Sequence, residues 1–178
     1  KLLLIAGVLI LMFGSANSKA VEPLLHDYEE IEITKVLTGH DVIQAAINGQ
    51  VGQFIVDTGA TTVINASSAH KYKLKNKLKT FDAAGAGGPI KVSYYAVDSV
   101  KIGGTQLPID RLGVTDLDEV LGGIQNITSV QIDGIIGQDV FIKGRAVINI
   151  SLSKISFPQK STNATETIAV SLIADDYE

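Results

Sequence analysis

Phe54-Ile55-Val56-Asp57-Thr58-Gly59-Ala60-Thr61-Thr62 is the stretch on which the reading of this chain turns. An apolar run of aromatic and β-branched residues ends in an acid, a hydroxyl and a glycine, the pattern of a strand that stops at a tight loop. A carboxylate at the end of a buried strand is half desolvated, and it gains from sharing a proton or holding a water. Taken alone, the tripeptide reads equally well as an Asp that closes a strand in a turn. Upstream, Ile31 to Leu37 and Val42 to Ile47 read as strands. Asn48-Gly49 then predicts a type I′ hairpin into Val51 to Val56, because both central positions of that turn need positive φ.

Downstream, Ser67 to Leu74 reads as one or two helical turns. The glycine-rich tip Gly85-Ala86-Gly87-Gly88 separates Lys79 to Ala83 from Ile90 to Val97 and predicts a long hairpin. Gly103-Gly104 turns a further pair, Val97 to Ile102 and Gln106 to Leu112. Asp116 to Thr128, with its acids and Gly122-Gly123, reads as a loop. An apolar strand at Ile132 to Ile136, a short helix at Gln138 to Lys143 and a hairpin of Arg145 to Ile150 with Lys154 to Phe157 complete the set.

Three of these segments, in this order, carry a family resemblance. Asp57-Thr58-Gly59-Ala60 after an apolar strand resembles the active-site loop of retropepsin-like aspartic proteases. Gly85-Ala86-Gly87-Gly88-Pro89-Ile90 resembles their flap, and Gly134-Ile135-Ile136-Gly137-Gln138-Asp139-Val140 resembles the segment that buttresses the catalytic loop, with Ile135, Ile136 and Gly137 nearest the acid. The resemblance spans roughly Gln44 to Phe157. It implies an all-β, closed, pepsin-like barrel with a flap hairpin, one or two short helices and one catalytic Asp-Thr-Gly per chain.

It also implies a mechanism. Peptide hydrolysis by this route needs one carboxylate to take a proton from water and another to give one to the carbonyl oxygen. Two carboxylates about 3 Å apart hold a single proton between them, the general case for aspartic proteases. This chain contains one Asp-Thr-Gly, so a second copy supplying another Asp57 is expected, in a C₂ homodimer with the site on its axis. Thr58 would bond across that axis, and Ala86 would offer its N–H to an extended polypeptide substrate. Ile55, Val63, Ile90 and Ile135 are expected near the subsites.

The sequence departs from the viral members, which carry an acid and an Arg where Thr61 and Gln138 stand, so their ion pair is missing here. Ala60 offers the carboxylate no hydroxyl, and a pH–rate maximum in the weakly acidic range is expected. The rival reading is a non-catalytic peptide-binding module of the cell envelope, using the same fold.

Composition limits the remaining choices. A chain of 178 residues with 17 glycines, few aromatics and short runs of Val, Ile and Thr fits one β-rich domain. A net charge of −4 without a basic face argues against nucleic acid. The absence of cysteine excludes disulfides, thiolate metal sites and a cysteine nucleophile. His26, His40 and His70 lack ligand spacing, so neither a metal nor a cofactor is expected. The scattered acids Asp98, Asp110, Asp116, Asp118, Asp133 and Asp139 read as turn or helix-end residues, and of these Asp133, beside the buttress, is the one to watch for a role next to the dyad.

The expected organisation is a signal peptide or membrane anchor over 1–20, a linker over 21–30, the protease domain over 31–158 and a flexible tail over 159–178. Lys1, the apolar run Leu2 to Phe13 and the small residues that follow have the order of a secretory signal, which points to a bacterial secreted or periplasmic member. A membrane contact is expected only if residues 2–14 stay attached as an anchor. Asn65-Ala66-Ser67, Asn126-Ile127-Thr128, Asn149-Ile150-Ser151 and Asn163-Ala164-Thr165 fit the glycosylation pattern.

Overall fold

The computed structural model describes residues 28–85 and 88–159. Ala86 and Gly87 of the flap tip, the signal-like start and residues 160–178 lie outside them. Strands β1 (Tyr28–Glu32), β2 (Thr34–Lys35), β3 (Asp41–Ile47), β4 (Gln50–Asp57) and β5 (Val63–Asn65) precede a 3-10 helix at Ala66–Tyr72. Next come β6 (Lys75–Gly85), β7 (Gly88–Ala96), β8 (Val100–Ile102), β9 (Thr105–Leu107) and β10 (Arg111–Thr115). The remainder is α1 (Asp118–Thr128), β11 (Gly134–Gly137), α2 (Gln138–Gly144), β12 (Val147–Asn149) and β13 (Lys154–Pro158).

The hairpin of β3 and β4 turns where Asn48 and Gly49 take φ of 49° and 78°, as the dipeptide predicts. Strand β4 lies between β3 and β11, antiparallel to the first and parallel to the second. A hydrophobic cluster packs on each of its faces, which is why Phe54 and Ile55 are both buried although they point to opposite sides. Phe54 joins the main core with Ile43, Ile47, Ile64, Leu112 and Ile136, a burial that stabilises by about 2–3 kcal/mol for a residue of its size. Ile55 faces a second cluster with Val42, Leu121, Ile124 and Ile132.

Two expectations are corrected. The strands do not close into a barrel among the described residues. They follow an open path β6-β7-β10-β5-β11-β4-β3-β8-β9, with β2 on β3, and a separate three-stranded sheet β1-β13-β12 shares the main core through Ile155 and Phe157. Closure would require β9 to meet β6. Strand β6 is instead an arm of the flap, exposed from Lys75 to Ala84, while Gly144 of α2 sits against Leu107 of β9 and Phe157 of β13. Helix and small sheet occupy the flank that a closing strand would need.

Residues 118–128, read as loop, form α1. Gly122 and Gly123 disfavour a helix by about 1 kcal/mol each, but packing of Leu121 and Ile124 overrides them. Asp118 and Glu119 in the first turn suit the helix dipole, and Ser129 in the left-handed region ends the helix with its N–H on Gln125 O. Smaller shifts occur elsewhere: β1 begins at Tyr28, within the stretch read as linker, and the Gly103-Gly104 turn joins only β8 and β9.

Candidate active site

Asp57 is the last residue of β4, paired with Gly137 at the end of β11. Its carboxylate is exposed, and Oδ1 accepts a hydrogen bond from Gly59 N–H at 2.9 Å. The loop turns tightly, with Ala60 N–H on Asp57 O at 3.2 Å, and leaves Thr58 and Gly59 at the surface.

What fixes this loop is β11 and the start of α2. Gln138 N–H donates to Ala60 O at 2.9 Å. Thr62, 1% exposed, donates its hydroxyl to Asp139 Oδ1 at 2.7 Å and accepts Gly137 N–H at 2.8 Å. Its own N–H reaches the same carboxylate oxygen at 2.8 Å. Asp139 in the first turn of α2 therefore holds the Asp57 loop from below. The sequence reading missed Thr62 and left Asp139 among turn and helix-end acids; the signal was there as two polar residues flanking otherwise apolar segments.

Contact is close enough to require glycine. A Cβ on Gly137 would collide with the Ala60 carbonyl and lie 2.7 Å from Thr61 C, and one on Gly134 would collide with Val63 O. Thr61 and Gln138, which lack the viral ion pair, leave the bracing to Thr62 and Asp139 within one chain.

A cavity of about 510 Å³ opens above Asp57. The Asp57 loop, the hairpin arms at Ala83, Gly85 and Ile90, and Val120 of α1 line it. Of the residues expected near subsites, Val63, Ile90 and Ile135 line this cavity, whereas Ile55 is buried in the cluster with α1. Ile136 points the other way, into the main core. Gly85 and Gly88 pair across the base of the flap tip, Gly88 with φ of 117°. Asp57 is the sole carboxylate among the described residues that line the cavity.

A model of the aspartyl protease family matches residues 43–140, from β3 into α2, and so takes in the loop, the flap and the buttress. The chain belongs to that family. The retropepsin-like resemblance is therefore borne out at the level of the family. No curated protein matches the chain.

Asp133 is not part of the aspartyl protease's candidate site. Its N–H pairs with Gln53 O, four residues before Asp57 on β4, which along a strand is about 13 Å away. There the carboxylate, 1% exposed, accepts Lys71 Nζ at 2.6 Å and Tyr72 Oη at 2.7 Å, tying the 3-10 helix to the strands. Burial works to raise its pKa, but the hydrogen bonds and charge supplied by Lys71 and Tyr72 outweigh that and hold it below the usual carboxylate range. The same burial, with the Asp133 carboxylate beside it, pushes the Tyr72 phenol well above its ordinary value.

Asn65 is likewise structural: 1% exposed, its Nδ2 donates to Ser67 Oγ and Asp118 Oδ1, and its Oδ1 receives Leu117 N–H. Those hydrogen bonds start α1, and they hold the Asp118 carboxyl below its ordinary range. The glycosylation pattern at Asn65 is thereby closed in the folded chain.

Proposed function

We propose that this aspartyl protease is an endopeptidase whose dyad forms from Asp57 of two copies of the chain. The observation that carries the reading is the lone exposed carboxylate in a cavity with no second acid among its described lining residues. Both required groups are carboxyls, and symmetry supplies the second one. In this mechanism the ionised Asp57 removes a proton from water while the protonated one donates to the scissile carbonyl oxygen. The water oxygen bonds to the carbonyl carbon, giving a tetrahedral diol. Collapse of the diol breaks the C–N bond as the protonated Asp57 gives its proton to the leaving nitrogen and the ionised one takes a proton from a diol hydroxyl, which leaves the carboxyl product and returns the dyad to one shared proton.

The brace of Thr62, Gly137 and Asp139 supports the loop from inside each chain, so the dyad geometry does not depend on an intersubunit ion pair. The flap arms over the cavity suit an extended polypeptide, whose backbone they can meet edge to edge. The order of residues 1–20 supports export, with action in a secreted or periplasmic setting.

The test is cleavage of an unfolded protein by wild type and Asp57→Asn across enzyme concentrations, with sedimentation to follow dimer formation. Activity that disappears in Asp57→Asn and rises more steeply than linearly with concentration is expected. A folded chain that binds peptide without cleaving it at any concentration would support the peptide-binding module instead.

A further inference from the structure

The face of the flap that looks into the catalytic cavity does not end with it. Register places Lys79 opposite Tyr94, Phe81 opposite Val92 and Ala83 opposite Ile90, with Gly113 of β10 beside Tyr94. Side chains directly opposite one another share a face, and so do residues two apart. Lys79, Phe81, Tyr94 and Arg111 therefore lie on the same face as Ile90 and Val92, which line the cavity above Asp57.

A second hollow, again of about 510 Å³, continues along this face and shares Ala83, Val92 and Tyr94 with the first. A register shift between Lys77 and Lys79 brings Leu78 to it as well.

Its lining is unusual for a solvent-facing sheet. Phe81 is 45% exposed and Leu78 53%, an apolar surface with nothing over it among the described residues. Phe81 meets Tyr94 edge to face at 5.8 Å, and Lys79 Nζ stands 4.7 Å from the Phe81 ring centre. Arg111 completes the rim, and among the described residues neither it nor Lys79 forms an ion pair. Asp82, the acid next to Phe81, is on the opposite face and is engaged with Lys91 at 2.7 Å.

We propose that this hollow is a distal specificity subsite that takes an acidic residue of the substrate, packed against the aromatic pair and paired with Lys79 and Arg111. The assignment rests on the endopeptidase reading. Phe81 is four residues from Gly85 at the flap tip, about 13 Å along the strand, so an extended substrate reaches it about four residues from the cut. Each subunit of the dimer provides one such hollow, one on either side of the scissile bond. Two cations beside an exposed apolar surface recognise a carboxylate carried on a short aliphatic stem, and they disfavour a lysine there.

The experiment compares two peptides with the same apolar junction, one carrying Glu and the other Gln four residues to each side. The ratio of their kcat/KM values is measured with wild type and with Lys79→Gln/Arg111→Gln. Wild type is expected to favour the Glu peptide by roughly two- to fivefold, the upper part of the range for exposed charge pairs, and the double variant to lose that preference.

Arg111→Glu is expected to shift the preference toward a Lys peptide. Equal ratios in wild type and variant overturn the subsite while leaving the protease intact. Binding of the labelled peptides to Asp57→Asn is measured in parallel. A Glu preference that depends on Lys79 and Arg111, seen without cleavage by wild type, sinks the endopeptidase reading but retains the subsite. If neutralising Asp175, Asp176 and Glu178 in the full chain raises affinity for the Glu peptide, that acidic stretch competes for the hollow and the substrate assignment fails.

Discussion

Replacing Thr62 by Val removes one hydroxyl and keeps the branched shape of the side chain. The residue is 1% exposed, so water cannot take over the lost bonds. The hydroxyl's bond to Asp139, at 2.7 Å to a carboxylate, is worth about 1.5–3 kcal/mol. Gly137 N–H, which donates to the same hydroxyl at 2.8 Å, is left buried and unpaired at a further cost of about 1–3 kcal/mol. Burying the added methyl returns about 0.8 kcal/mol, and Asp139 retains the Thr62 N–H, so the net loss is about 3 kcal/mol.

That is a large part of the ~5–15 kcal/mol by which domains are usually stable. Urea unfolding should show a lower midpoint at an unchanged slope, and cleavage should fall because the loop carrying Asp57 is paired with Gly137. Thr61→Val, at an exposed position, is the control and should stay within about 0.5 kcal/mol. A Thr62→Val loss below about 1 kcal/mol, or equal to that of Thr61→Val, would refute the brace.

Gly137→Ala is expected to destabilise by more than about 3 kcal/mol and to abolish cleavage, because its Cβ would enter the Ala60 backbone; unfolding and activity assays check both. For Asp133, the depressed pKa means that its stabilising effect is complete above the ordinary Asp value and fades as pH falls through the folded one. The stability gap between wild type and Asp133→Asn should thus narrow below about pH 4 in unfolding titrations. Tyr72 has the opposite sign: its raised pKa keeps the phenol protonated in the folded chain while the unfolded chain ionises, so stability falls above about pH 10. Tyr72→Phe should flatten that alkaline limb, and an unchanged slope would contradict the assignment.

Where the sequence spoke clearly, a local rule and the tertiary packing agreed. Asn48-Gly49 allows little besides a tight hairpin, and the glycine tip at 85–88 marked the long arms of β6 and β7. Helix α1 was hidden because Gly122 and Gly123 have low helix propensity, and what outweighs them is a contact with Ile55 and Val42 that lies far off in the chain. Asp133 looked close to the dyad because it is close in sequence to the buttress. In space it lies just before β11, beside Gln53 at the middle of β4, where Lys71 and Tyr72 receive it.

By itself the sequence determined the strand that delivers Asp57, the long glycine-tipped hairpin and the family, because each is written in short local segments: an apolar run, a glycine-rich turn, and three motifs in a fixed order. Only the tertiary structure decided that the sheet stays open, that Thr62 and Asp139 brace the loop across a gap of 77 residues, and that the flap face runs on past the cavity to Phe81 and Arg111. Those features are pairings between distant segments, set by which strands meet and in what register, and no local pattern encodes them.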